Sequence, residues 1–225
     1  MKKRPIDIIC SILAFILTPL FFISFSALIP CCFRPFYYMW IDPLKIPQTS
    51  GYSRSVIIEA FDDVMDFLWN GAEFKTGQLA WTEEEKAHFE DCKPLFHMQL
   101  ILALITGILL VTYIILIKKK VLKTARFKGI SSISWGGALA ISLLLIVGIF
   151  AAIDFTALFT VFHKVFFPGK GNWQFDYETE QIINILPESF FLVCAIFIIS
   201  LVIILSTVAL VIGIVKRERK EKIKQ

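Results

Sequence analysis

The sequence is poor in charge: 19% of its 225 residues are Asp, Glu, Lys or Arg, against 56% hydrophobic residues and a mean hydropathy of +0.70. That shortage excludes a disordered chain and an ordinary soluble domain, which must cover its outside with polar groups. Cysteine is scarce too. Cys10, Cys31, Cys32, Cys92 and Cys194 show no C-x-x-C spacing, so neither a disulfide scaffold nor a redox or zinc site is implied. One bridge, from Cys31 or Cys32 to Cys92, stays geometrically open. His88, His97 and His163 are the only histidines and make no H-x-x-x-H or H-x-x-E-H pattern, which argues against a metal. No G-x-S-x-G elbow offers a serine nucleophile. Gly169-Lys170-Gly171-Asn172 lacks both the first glycine and the Lys-Ser/Thr ending of a phosphate-binding loop. No cofactor is expected. Without internal repeats or Gly/Ser linkers, residues 1–225 read as one membrane domain.

What the sequence does have is four apolar stretches, Ile8–Phe33, Met98–Ile117, Trp135–Val161 and Phe190–Val215. Each is long enough to cross the ~30 Å hydrocarbon core as a helix. The expected fold class is an all-α integral membrane protein: four transmembrane helices with an extracytoplasmic, partly helical cap built from residues 34–97 and 162–189. Pro19 predicts a kink in the first span, and Asp154 is a strong polar intrusion in the third. The first run is too long for a signal-peptide core and reads as an uncleaved helix. Fifteen of the 23 basic residues fall at the N-terminus (Lys2, Lys3, Arg4), between the second and third spans, and in the tail. By the positive-inside rule that side is cytoplasmic, with both termini on it. The rule accounts for the basic tail without nucleic acid or anionic-lipid binding.

The two outward connections are too long to serve only as links. They hold 21 of the 32 aromatics, including Trp40, Trp69, Trp81 and Trp173, within 95 residues. Interfacial belts form on both faces of a membrane, so this one-sided bias predicts an aromatic-walled cap. In Val56–Trp69, residues Ile57, Phe61, Val64, Met65 and Leu68 make one helical stripe, with Ser53 or Ser55 as N-cap and Asn70-Gly71 as the stop. A second helix is predicted from Thr82, capped Thr-x-x-Glu through Glu85, with Pro94 interrupting or kinking it.

On that second helix His88 stands three residues before Asp91, on one face. A carboxylate there can hold an imidazole in one tautomer and raise its basicity. The alternative is a surface histidine in a charged run. His163 closes the third span, and His97 reads as an interfacial residue.

The strings His-Phe-Glu-Asp-Cys-Lys (His88–Lys93) and Phe-His-Lys-Val-Phe-Phe-Pro-Gly-Lys-Gly-Asn-Trp-Gln-Phe-Asp (Phe162–Asp176) resemble the bacterial lipoprotein intramolecular transacylases, as does Ile182–Phe191. The four-span layout agrees, so the resemblance covers nearly the whole chain. The sequence departs at Phe61-Asp62, where the family often has Tyr-Asn, and at Tyr177, where Pro commonly follows Phe-Asp. The resemblance implies catalysis by two histidines, His88 and His163, at the boundary of cap and membrane. The implied substrate is a diacylated lipoprotein in membrane lipid. Its sn-2 acyl chain moves onto the α-amine of the N-terminal cysteine, giving the N-acyl S-monoacylglyceryl (lyso) form.

Nucleophile and ester lie on one molecule, so the task is orientation, which is worth about 7–11 kcal/mol. One histidine would take the amine proton while the other serves the oxyanion or the leaving alkoxide. His88, with Asp91 behind it, is favoured as base and His163 as the carbonyl partner, and the reverse stays open. Tyr38, Trp69, Phe162 and Trp173 are expected to wall the pocket, with Lys93, Asn172 and Asp176 as polar supports. A lipid ester hydrolase using the same histidines with water, and a non-enzymatic four-helix partner protein, are the alternative readings.

Overall fold

In a computed structural model of the chain, residues 4–222 are described, and Lys2, Lys3 and Lys224 of the basic clusters lie outside them. The described residues are almost wholly helical. In chain order they form α1 (Pro5–Cys32), α2 (Arg34–Trp40), α3 (Ile46–Ser50), α4 (Arg54–Asn70), α5 (Glu83–Lys118), β1 (Arg126–Phe127) and β2 (Ile130–Ser131). Then follow α6 (Ser132–Ile153), α7 (Phe155–Phe166), α8 (Ile182–Ile185) and α9 (Glu188–Lys222). Four helices, α1, α5, α6 and α9, are long and apolar enough to cross a membrane, and they contain the four expected spans except for Phe33 of the first and the end of the third. Rows of exposed Ile, Leu and Val along them, such as Ile101, Ile105 and Ile108 on α5, would be untenable in water.

Helix α5 runs through Pro94 without ending. Its 36 residues reach ~54 Å, so the apolar Met98–Ile117 supplies the spanning part and the charged turns from Glu83 to His97 extend beyond it. The third span, by contrast, is broken. Asp154 is extended (φ −156°, ψ 96°) and its carboxylate accepts the Ala157 N–H at 2.8 Å, so it caps a new helix, α7. Helix α6 nevertheless keeps 22 residues, ~33 Å, enough to span alone.

The chain divides into two compact units. One comprises residues 1–27, 100–149 and 197–225. Here Ala140, Leu144 and Val202 pack with Phe22, Ile23 and Ile199, and Ala14, Leu110 and Tyr113 form a second cluster. Close helix approach depends on small residues, as is usual in lipid. A Cβ on Gly136 of α6 would come within 2.6 Å of the Phe15 carbonyl oxygen and Thr18 Cβ of α1. The connection after α5 is tied to the start of α1: the buried Asp7 accepts the Lys123 N–H at 3.0 Å, and Ser11 Oγ accepts the Ala125 N–H at 2.7 Å. Its hairpin turns on Lys128 and Gly129, both at positive φ, the geometry a two-residue hairpin loop needs.

The other unit comprises residues 28–99 and 150–196. Helix α4 buries its predicted stripe, Ile57, Phe61, Val64, Met65 and Leu68. Ser53 is its N-cap, accepting the Val56 N–H at 3.4 Å, and Gly71 closes it at φ 74°. Tyr37 of α2 stacks on Phe61 with centroids 4.0 Å apart and donates to the Ile185 carbonyl at 2.6 Å. Helix α5 starts as expected, Thr82 Oγ1 accepting the Glu85 N–H at 3.1 Å, but the Glu85 side chain does not reach back to complete the box. All five cysteines are free thiols, so the bridge to Cys92 is not formed.

Candidate active site

His88 projects from the second turn of α5 and His163 from the last turn of α7, both within the second unit. Sequence separation conceals how close they are: their ring centroids lie 5.9 Å apart, and the residues are only 7% and 8% exposed. His163 Nδ1 is 2.8 Å from the Phe159 carbonyl oxygen, one turn back on α7. A carbonyl can only accept, so Nδ1 carries the hydrogen and a neutral His163 presents its Nε2 lone pair. Trp173 stacks on the His163 ring at 4.8 Å with an interplanar angle of 26°, and Phe159 and Phe162 line it at 4.2 and 5.5 Å. Phe167 and Phe175 meet His88 edge-on at 4.9 and 5.4 Å. His88 Nε2 lies 3.5 Å from Cys92 Sγ, and its Nδ1 is buried with no hydrogen-bond partner.

Burial pushes His88 down to about 4, the neighbouring His163 and Lys170 acting in the same sense and Asp91 opposing. Burial also lowers His163, against its bond to Phe159. Both imidazoles are therefore neutral at neutral pH. The Cys92 thiol is pushed up to about 12, first by burial and then by Asp91, and stays protonated.

Asp91 raises the His88 imidazole through its charge, but no hydrogen bond joins the two side chains. Its carboxylate is taken by Lys170 Nζ and by Asn172 Nδ2, the latter at 3.1 Å. Partial burial raises Asp91, but these two donors outweigh it and hold the acid below its usual range. Asp91 thus ties the Pro168–Trp173 turn to α5, and the same turn carries Trp173, whose indole N–H donates to the Lys170 carbonyl at 3.1 Å. Asn172 Oδ1, like His88 Nδ1, is buried and unpartnered.

Of the predicted residues, Asp91, Phe162, Asn172 and Trp173 gather with the two histidines, and four others have their contacts elsewhere. Trp69 donates to the Cys31 carbonyl at 2.9 Å and shares a separate hollow of about 500 Å³ with Lys93 and His97. The Lys93 ammonium sits 4.0 Å over the Phe67 ring. Tyr38 donates to Asp62. Asp176 shapes a turn, its Oδ1 accepting the Glu178 N–H at 2.8 Å. Phe159, Phe167, Phe175 and Cys92 were not singled out as site residues. Phe159 lies one helical turn before His163, a spacing that could have found it.

No metal-binding group of three or more His, Cys, Asp or Glu occurs among the described residues. An all-helical membrane protein holding a buried, neutral, aromatic-walled pair of histidines is the class that fold and site define. The family model described as "Lipoprotein intramolecular transacylase Lit" matches residues 12–191. A crystal structure of the membrane-integral lipoprotein intramolecular transacylase Lit from Bacillus cereus is similar at a TM-score of 0.84 and 22% identity, covering 96% of this chain and 98% of that one. Two structures of the same bacterial protein, each with one histidine replaced (by arginine or by alanine), give 0.77 and 0.78 at 21% identity. Those matches cover 98% and 96% of this chain and 95% and 96% of the other. At such identities the likeness concerns the fold. No curated protein sequence matches. The family match spans most of the chain, which therefore belongs to the lipoprotein intramolecular transacylase Lit family and is an acyltransferase.

Proposed function

We propose that His163 and His88 together move the sn-2 acyl chain of a diacylated lipoprotein onto its own N-terminal cysteine amine. The observation that carries the reading is the neutral histidine pair 5.9 Å apart, with the His163 Nδ1–H held by Phe159. That bond supports the reverse of the assignment favoured from sequence. His163, with Nε2 unprotonated, is the base. His88, with Nε2 beside the protonated Cys92 thiol and Nδ1 unpartnered, is the hydrogen-bond donor for the developing oxyanion. An α-amine titrates near ~7.8, so a fraction is free at neutral pH. The amine nitrogen bonds to the ester carbonyl carbon and His163 Nε2 takes its proton. When the C–O bond to the glycerol breaks, the same proton passes to the leaving oxygen, so no acyl-enzyme forms and atoms balance. Phe159, Phe162, Phe167, Phe175 and Trp173 exclude the water that would hydrolyse the ester.

The charge asymmetry supports an extracytoplasmic site with both termini in the cytoplasm. The test is mass spectrometry of a diacylated lipoprotein co-expressed with this protein. The expected result is an N-terminal tryptic peptide that becomes N-acylated without change in total mass. Loss of one acyl chain would establish hydrolysis instead. His163→Ala retaining full transfer sinks the site assignment.

A further inference from the structure

Three residues before His88, on the same face of α5, Glu85 is fully buried at 0% exposure, and neither carboxyl oxygen has a hydrogen-bond partner. A native structure seldom leaves such a group unexplained, because a bare buried carboxylate is costly. The charged group acting on it from across the packing is Glu180, itself buried. On its own helix Glu83 and Glu84 are exposed, and Lys86 turns to Glu83 at 3.6 Å. Glu180 is well supplied with donors. Its Oε1 accepts the Thr82 hydroxyl at 2.7 Å and its Oε2 the Asp176 N–H at 2.8 Å. Both Glu180 oxygens thus have donors, and both Glu85 oxygens have none. Two adjacent buried carboxylates cannot both carry charge, so the proton belongs on Glu85.

The place of this pair gives it a task. Beside it, Gln181 N donates to the Ala80 carbonyl at 3.2 Å and Ala80 N to Gln181 Oε1 at 2.8 Å. The Thr82–Glu180 bond completes a clasp between the start of α5 and one end of the connection that carries Trp173 and Phe175. Those are the rings against His163 and His88. We propose that Glu85 is a proton-holding positioning residue: kept neutral beside the Glu180 carboxylate, it lets this connection close on α5 and so sets both histidines against their aromatic walls. Its effect on rate rests on the transferase reading above, while the clasp itself does not. Burial, with Glu180 second, raises the Glu85 acid to about 8, so the clasp is intact at neutral pH and opens as pH climbs past that value.

The experiment compares the purified full-length protein with its Glu85→Gln and Glu85→Ala variants from about pH 6 to pH 10. Thermal unfolding in detergent is measured beside transfer on a diacylated lipoprotein in liposomes. Glutamine imitates the neutral acid but cannot ionise. A raised folded-state value means stability is complete below the ordinary carboxyl value and declines as pH rises through about 8. The Tm of the natural protein should therefore fall by several degrees between about pH 7 and 9.5, and that of Glu85→Gln should stay level. Glu85→Gln should keep at least half the transfer rate at pH 7 and hold it to about pH 9.5, where the natural protein loses about tenfold. Glu85→Ala, which empties the space, should lose more than tenfold at pH 7. A Glu85→Gln unfolding profile that tracks the natural protein across the whole range overturns the proposal. If no variant transfers acyl groups, the unfolding arm still decides the clasp, and the failure falls on the reaction assigned to the site.

Discussion

Replacing Asp91 by alanine separates two readings of that residue. If Asp91 serves His88, its loss should alter histidine chemistry and leave Lys170 unimportant. If it anchors the Pro168–Trp173 turn, as its bonds to Lys170 and Asn172 indicate, Asp91→Ala and Lys170→Ala should share one effect. The size follows from exposure. The Lys170 side chain is 49% exposed, so the ion pair is screened and contributes about 0.5–1 kcal/mol. The Asn172 bond is half-buried and adds about 1 kcal/mol. Together ~2 kcal/mol would shift the balance between docked and undocked turn by up to ~30-fold. Because Trp173 stacks on His163 from this turn, transfer should drop by about 5- to 30-fold in Asp91→Ala and by less in Lys170→Ala. The assay is initial-rate N-acylation of a diacylated lipoprotein in liposomes, run as a double-mutant cycle. Anchoring requires the double variant to be no worse than Asp91→Ala by more than a factor of two. Additive losses, or an inert Lys170→Ala beside a crippled Asp91→Ala, would refute it.

Two further outcomes test other parts of the structure. The His88 imidazole lies at about 4 in the folded protein against an ordinary 6.5, so folding stability is complete above 6.5 and is lost as pH falls towards 4. The loss should reach roughly 3 kcal/mol, visible as an acid decline in Tm that His88→Phe removes. In the other unit, Gly136→Ala places a methyl 2.6 Å from the Phe15 carbonyl oxygen and should destabilise by about 1–3 kcal/mol, read as a lower Tm in detergent. An unchanged Tm would show that α1 and α6 yield there without cost.

Much of the fold was legible because lipid imposes length and composition on anything that crosses it. The α4 stripe was legible because a 3.6-residue period exposes a buried face, and Ser53 and Gly71 are residues chosen for caps. The break at Asp154 was not: the residue stood out as a polar intrusion, but whether it starts a new helix depends on one carboxylate meeting one N–H. Site legibility failed wherever sequence neighbours were assumed to be spatial partners. His88 and Asp91 share a helix face, yet Asp91 found Lys170 and Asn172, 79 and 81 residues away. Glu85 was read as half of a capping box because Thr-x-x-Glu is a local pattern. In the fold it lies buried beside Glu180, which the distant connection brings in. Lys93 carries suitable chemistry, but helical phase turns it away: residues five positions apart on α5, such as His88 and Lys93, differ by about 140° around the axis.

The interruption at Asp154 has a mechanical consequence. A continuous helix would lock the angular setting of His163 to every lipid-facing residue of α6, so a substitution that rolled α6 in the bilayer would swing the imbalance straight into the imidazole. With one extended residue between them, α7 begins its own rotational phase. The capping bond to Ala157 and the 2.6 Å bond from Thr156 to Glu188 anchor that new start. The setting of the His163 ring is therefore built within its own unit, from the cap at Asp154 onward, rather than from the helical phase of α6.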